Sequence, residues 1–307
     1  MAPLLRLGTR GSKLALTQTG LVRAALAAAV AELAAPDAIE IVAIRTTGDA
    51  IQDRPLADAG GKGLFVKEIE EALLTNRIDA AVHSMKDMPV VQPAGLEIVA
   101  FLPREDARDV LIAGETKRIA DLKRGAVVGT AALRRKAQLL HLRPDLSIVN
   151  LRGNVDTRLA KREAGVVEAT LLALAGLKRL GMAHVGTPVP EEEILPAVGQ
   201  GAVCIECRAD DARTRAWLAA IDHKPTAVCV AAEHAMLAVL DGSCRTPIAG
   251  HAVLSGDSLR LRGLIVKPDG SELLATERQG TAADAQAMGR DAGLELKRRG
   301  WPGFLTT

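Results

Sequence analysis

Apolar runs short enough to be strands alternate along this chain with stretches of helical spacing, and that alternation restricts it to an α/β fold. Leu4 to Leu7 reads as a first strand. Thr9-Arg-Gly-Ser12 follows as a polar turn, with Ser12 a helix N-cap, and Leu14, Leu21, Val22, Ala25, Ala29 and Leu33 keep helical spacing to Ala35. Ile39 to Arg45 is a second strand and Leu64 to Leu74 an amphipathic helix. A third short strand, Ala80-Ala-Val82, follows Asp79, and Pro89 stops regular pairing soon after. Leu96 to Leu102 and Asp109 to Ala113 are strands joined by the charged Pro103-Arg-Glu-Asp-Ala-Arg108, which reads as a hinge. The alternation then starts again with strands at Ala126–Thr130, Leu146–Leu151 and Thr170–Leu174 and a helix at Ala131–His141. Leu195 to Cys207 is a loop and strand returning the chain to the first unit. Pro225 to Leu240 is a long helix, Ile248–Leu254 and Ser258–Val266 are strands of a small antiparallel sheet, and Ala282–Arg299 closes the chain as a helix.

Chemistry concentrates where strands end. His83, Ser84, Lys86 and Asp87 crowd at the carboxyl end of the third strand, where open α/β sheets place their ligands. Alone, such a stretch is more often a solvated loop with a weak ion pair. Arg10 sits where the first strand hands over to a helix, a position suited to a carboxylate or phosphate and equally to a surface arginine. In the second unit the pattern recurs: Arg134 and Arg135, then Arg152 and Arg158, then Arg179 are expected at helix starts lining one crevice. Helix N-termini favour acidic residues, so basic ones there want an anionic ligand with several carboxylates or phosphates.

Composition removes several function classes. Aromatic residues are 2% of the 307, with no Tyr, which disfavours base stacking. Lys plus Arg, at 39, nearly balances Asp plus Glu, at 37, so anion affinity must come from local clustering. The Thr46–Gly63 loop has glycines and Lys62 but not the order of a P-loop or a dinucleotide fingerprint. The alanine-rich run to Ala35 contains Glu32 and follows Arg23, so no membrane span is expected, and the short, polar N-terminus points to the cytosol. Cys204 and Cys207 lie in an apolar strand with no second pair, so burial is favoured over zinc or redox chemistry, and no metal site is expected. Cys244 differs, standing in a polar loop beside Arg245.

Together these segments resemble the porphobilinogen deaminase (hydroxymethylbilane synthase) family over nearly the whole chain. The resemblance rests on Arg6-Leu-Gly-Thr-Arg-Gly-Ser12, Gly60-Gly-Lys-Gly-Leu-Phe-Val-Lys-Glu68, Val82-His-Ser-Met-Lys-Asp87, Leu133-Arg-Arg135, Arg152-Gly-Asn154 with Thr157-Arg158, Ala175-Gly-Leu-Lys-Arg-Leu-Gly181, Pro196-Ala-Val-Gly-Gln-Gly201 and Gly242-Ser-Cys244. It implies two periplasmic-binding-protein-like lobes with two crossovers plus a small α+β C-terminal domain. The expected division is 1–102 and 199–220 for the first domain, 103–198 for the second and 221–307 for the third. It also implies a dipyrromethane cofactor joined by a thioether to Cys244, to which four porphobilinogen units are added with loss of ammonia before hydrolysis. Asp87 is then the catalytic carboxylate. Ser84, Lys86, Asp87, Thr130, Arg134, Arg135 and Gln200 would hold the cofactor, and Arg10, Ser12, Lys62, Phe65, Arg152, Arg158 and Arg179 the substrate. A monomer without nucleic-acid or membrane partners is the family expectation. The rival reading, a two-lobed solute-binding protein for a polycarboxylate, gives Cys244 no role.

Overall fold

Strand β1 (Leu5–Arg10) buries Leu5, Leu7 and Thr9, and runs three residues beyond the expected end because Gly8, Thr9 and Arg10 still pair with β2 (Ile39–Ile44). The computed structural model describes residues 3–50, 65–242, 246–300 and 304. Between these strands runs α1 (Lys13–Ala29), capped by the Ser12 side chain, which accepts from the Ala15 amide. It ends at Val30, short of the expected Ala35, where the backbone turns extended and a single 3-10 turn follows. Then come α2 (Thr47–Ala50), α3 (Lys67–Leu74), β3 (Ala80–Ser84), β4 (Leu96–Phe101), β5 (Asp109–Ile112) and β6 (Val127–Gly129). Next are α4 (Leu133–Leu142), β7 (Ser147–Val149), α5 (Val155–Glu163), β8 (Ala169–Ala173), α6 (Leu174–Arg179) and β9 (Thr187–Pro188). The chain closes with β10 (Val203–Arg208), α7 (Ala212–Ala219), α8 (Lys224–Val239), β11 (Ile248–Ser255), β12 (Ser258–Val266), β13 (Leu273–Thr281) and α9 (Ala285–Gly300).

The described residues form two compact units, one from 3–50, 65–105 and 202–227, the other from 106–201, 228–242, 246–300 and 304. The first unit is built on a five-stranded sheet of order β2-β1-β3-β10-β4, in which β10 runs antiparallel to both neighbours. One face packs Leu5, Leu7, Val82, Val203 and Ile205 against Val22 and Leu26 of α1. The other packs Ala81, Ile78 and Leu96 against Ile69 and Leu73 of α3. Each such fully buried leucine or isoleucine contributes about 1.5–3 kcal/mol.

The second unit holds a sheet of the same plan, β7-β6-β8-β5-β9, with β5 antiparallel to β8. It also holds the antiparallel β11-β12-β13 sheet, joined to α4 through Ala137, Leu195, Ala249, Leu264 and Val266. Strand β13 was not expected. Its sequence, Leu273-Leu-Ala-Thr-Glu-Arg-Gln-Gly-Thr281, has few apolar residues, and only pairing with β12 along its length makes it a strand. The α/β class and the small α+β C-terminal part are as expected.

Candidate active site

In the first unit β1 and β3 are parallel neighbours, so both carboxyl ends reach the same edge of the sheet. Ser84 ends β3, and a single 3-10 turn, Met85–Asp87, follows. The turn's backbone is pinned: the Met85 amide donates to Ala202 O at 3.0 Å, the Met88 amide donates to Met85 O, and both methionine side chains are buried. Lys86 and Asp87 are left half-buried on a rigid support. The Asp87 side chain is 28% exposed, and its Oδ2 lies 4.0 Å from Nη1 of Arg10. The Arg10 guanidinium in turn sits over the Phe65 ring, 4.3 Å from its centroid. Arg10 thus links Phe65 and Asp87, with Lys86 next to Asp87 in the same turn. Ser84 is engaged with Gln18, whose Nε2 donates to Ser84 Oγ at 3.1 Å. Ser12 serves α1 as its cap. Lys62 and Cys244 lie outside the described residues.

In the second unit the arginines divide. Arg134 and Arg135, in the first turn of α4, turn inward onto Asp109, which opens β5 and is fully buried. Arg134 Nη2 donates to Asp109 Oδ2 at 2.8 Å, and Arg135 donates through Nε at 3.1 Å and Nη2 at 2.7 Å. Their remaining recorded bonds go to Leu195 O and Leu171 O. Gln200 adds Nε2 to Asp109 Oδ1 at 2.8 Å and to Ala107 O. Burial alone would push the Asp109 carboxyl up, but the two guanidinium groups overcome it and hold it well below the ordinary carboxylate range. The carboxylate these two arginines meet is therefore internal, and the expectation that they line an open crevice needs correcting. A guanidinium in dry surroundings requires a counter-charge, and the fold supplies one.

Arg179 also departs from the expected pattern. It is the last residue of α6, not near a helix start, because α6 begins directly after β8 at Leu174. There it accords with the helix dipole, and its Nη2 donates to Gly201 O at 2.7 Å. Arg152 precedes the Asn154 cap of α5, and Arg158 lies in the first turns of that helix with Nε on Gly153 O. Both are partly exposed. Thr130 Oγ1 accepts from the Ala132 amide at the entry to α4.

The Gly199-Gln200-Gly201 segment needs two left-handed residues, φ 71 and 87, which glycine supplies. The Gly199 amide is held by the buried Glu233 carboxylate, whose other oxygen accepts from the Ala252 amide of β11. Cys204 and Cys207 are buried thiols; burial, ahead of nearby carboxylates, pushes Cys207 up to about 12. Two residues central to this arrangement, Asp109 and Glu206, are passed over in the sequence reading. Each is the one acid among the apolar residues of its strand, which is the signal for a buried, partnered charge.

Residues 5–216 match the family model "Porphobilinogen deaminase, dipyromethane cofactor binding domain", and residues 227–298 match "Porphobilinogen deaminase, C-terminal domain". The chain is 58% identical to porphobilinogen deaminase of Paracoccus denitrificans (strain Pd 1222), over 96% of this chain and 94% of that one. It is 56% identical to the Nitrobacter winogradskyi protein of the same description, over 98% and 95%. It is 53% identical to the chloroplastic porphobilinogen deaminase of Oryza sativa subsp. japonica, over 98% and 86%. Among solved structures it is similar to the periplasmic aliphatic sulphonate binding protein SsuA from Escherichia coli, at 17% identity and TM-score 0.42, over 77% and 70%.

Proposed function

The chain belongs to the porphobilinogen deaminase family, and from that premise we propose that Asp87 is the group that meets the reacting atoms, with Arg10 and Lys86 beside it. The activity is that of porphobilinogen deaminase (hydroxymethylbilane synthase) in tetrapyrrole biosynthesis, with a dipyrromethane cofactor-binding domain. One observation carries the residue assignment: a partly exposed carboxylate on a pinned turn at the sheet's carboxyl edge, beside a guanidinium.

Each pyrrole ring of the substrate carries an acetate and a propionate, so its binding calls for cations. Arg10 and Lys86 on the first unit, and Arg152 and Arg158 on the second, are partly exposed and fit that need. Ser12, Phe65, Lys62 and Arg179 complete the proposed substrate set. The residues present also suit the cofactor, which has the same ring carboxylates. Arg134 and Arg135 commit two and three of their five N–H donors to recorded protein oxygens, leaving others for a ligand carboxylate, with Thr130, Ser84 and Gln200 as further contacts. When bound, the dipyrromethane supplies the primer to which porphobilinogen units are joined, and we assign its thioether link to Cys244.

Departure of ammonia from porphobilinogen leaves positive charge on its pyrrole nitrogen. The Asp87 carboxylate stabilises that charge and accepts the proton shed as each carbon–carbon bond forms. Arg10 offers Asp87 a fixed counter-charge and holds ring carboxylates. The pinned Met85–Asp87 backbone keeps the carboxylate in place between successive additions. The three-domain division of 1–102 with 199–220, 103–198 and 221–307 goes with this reading, supported by the three separate sheets. So does a monomer working in the cytosol; no helix among the described residues is long and apolar enough to cross a membrane.

The test is the intact mass of the purified protein beside a Cys244→Ser variant, before and after incubation with porphobilinogen. An added mass of two linked pyrrole units, absent from the variant, is expected. A protein that stays unmodified after incubation would overturn the attachment and favour a binding protein. The Asp87 role is overturned by an Asp87→Asn variant that turns over normally.

A further inference from the structure

Behind the Asp87 turn lies a buried group that the mechanism does not use. On the α3 face of the first sheet, His83 of β3, Glu206 of β10 and Glu70 of α3 are 5%, 0% and 8% exposed. His83 Nε2 and Glu206 Oε2 approach to 3.3 Å. Yet His83 Nε2, both Glu206 carboxylate oxygens and Glu70 Oε1 have no hydrogen-bond partner among the described residues. Their surroundings are apolar: Ile69, Leu73, Ile78, Ala81 and Leu96. Such orphaned polar atoms need an explanation, because each costs free energy in a dry site.

The charges around this group are committed elsewhere. On α3 itself, Glu68 is held by Thr47, and Lys67 and Glu71 flank it. From β1, Arg6 pairs with Asp79 and Arg10 with Asp87. From β10, Arg208 pairs with Asp211 and Asp79; from β4, Glu97 pairs with Arg215. This leaves two carboxylates, one imidazole and the Cys204 thiol in one enclosure. Burial pushes the Glu70 carboxyl up to about 7, with Glu206 adding to the shift and His83 opposing it. Cys204 connects the enclosure to the site: its Sγ contacts His83 O at 3.8 Å, and after burial the charges of Glu206 and Asp87 both raise it.

We propose that Glu70, His83 and Glu206 act together as positioning residues for the Ser84–Asp87 turn, holding it while the Glu70 carboxyl keeps its proton and loosening it when that proton leaves. Without that proton, Glu70 brings a negative charge into a dry space on the same side of the sheet as Glu206. Separating α3 from β3 and β10 relieves the repulsion, and β3 carries the turn. The effect on turnover rests on the assignment of Asp87 above; the effect on stability does not.

The sign follows from the raised carboxyl. Its contribution to stability is fully present below the ordinary value of 4.5 and is lost as pH rises through about 7. The test compares cofactor-loaded wild type with Glu70→Gln and Glu206→Gln, following melting temperature and kcat between pH 5 and 9. Wild type is expected to lose melting temperature from pH 5 to 8. Glu70→Gln, which keeps the neutral form, is expected to lose less and to carry the alkaline limb of kcat upward by about one pH unit, with KM unchanged. Superimposable stability and rate profiles for wild type and both variants would overturn the proposal. Should the variants not fold, infrared spectra of wild type decide: a protonated buried carboxyl band at pH 6 that vanishes by pH 9 supports it, and its absence at pH 6 rejects it. Asp87→Asn separates the two assignments, since it is expected to lose turnover while keeping the pH dependence of melting.

Discussion

Asp87 and Asp109 each lie at the carboxyl edge of a five-stranded sheet, each beside arginine, in different solvation. Asp87 is 28% exposed, with one guanidinium 4.0 Å away. Asp109 is fully buried and accepts from Arg134, Arg135 and Gln200 at 2.7–3.1 Å. A long, partly solvated pair of this kind is worth little to stability. A buried carboxylate differs, because losing a partner strands a charge in a dry site. The same two side-chain types are therefore open to water in one unit and sealed into the architecture of the other, and water access decides what each pair can do.

Substitutions can break this contrast. The largest effect is expected from Asp87→Asn: a 10²–10⁴-fold (order-of-magnitude) loss of porphobilinogen turnover, measured by steady-state assay, with the melting temperature nearly unchanged. Asp109→Ala should behave oppositely, costing about 3–5 kcal/mol in denaturant unfolding because Arg134 and Arg135 are left buried without a counter-charge. Equal stability losses in the two variants would erase the distinction. Arg10→Ala should weaken substrate binding by about 1.5–3 kcal/mol, seen as a raised KM. At the small end, Ser12→Ala removes the cap of α1 and should cost about 1 kcal/mol in the same unfolding measurement.

Acid sharpens the contrast further. The Asp109 carboxyl is held below its ordinary value of 3.8, so its stabilisation is present above that value and lost as pH falls through its lowered folded value. Glu70 is shifted the other way, with stability lost as pH rises through about 7. Melting curves should therefore show a neutral-side slope that Glu70→Gln reduces and an acid-side slope that it leaves alone.

Local patterns were legible where a residue's role is decided by its neighbours in the chain. Ser12 before an apolar-periodic run is a cap wherever that run packs. His83 to Asp87 after a buried apolar run mark the end of a strand in an α/β sheet. Strand β13 was not legible, since its residues carry little apolar alternation and depend on β12 for their conformation. The arginine roles were only half legible. That arginines follow strands in the second unit can be read directly, and it suggested a common anionic ligand. That Arg134 and Arg135 close on Asp109, 25 and 26 residues away, that Arg179 ends its helix, and that Glu206 meets His83 depend on which strands become neighbours. The chain by itself determined the alternation, the caps and the polar turn after β3, because these follow from short-range backbone and side-chain chemistry. Only the tertiary structure decided which charges are buried and what they face, because desolvation and pairing energies depend on distances between residues far apart in sequence.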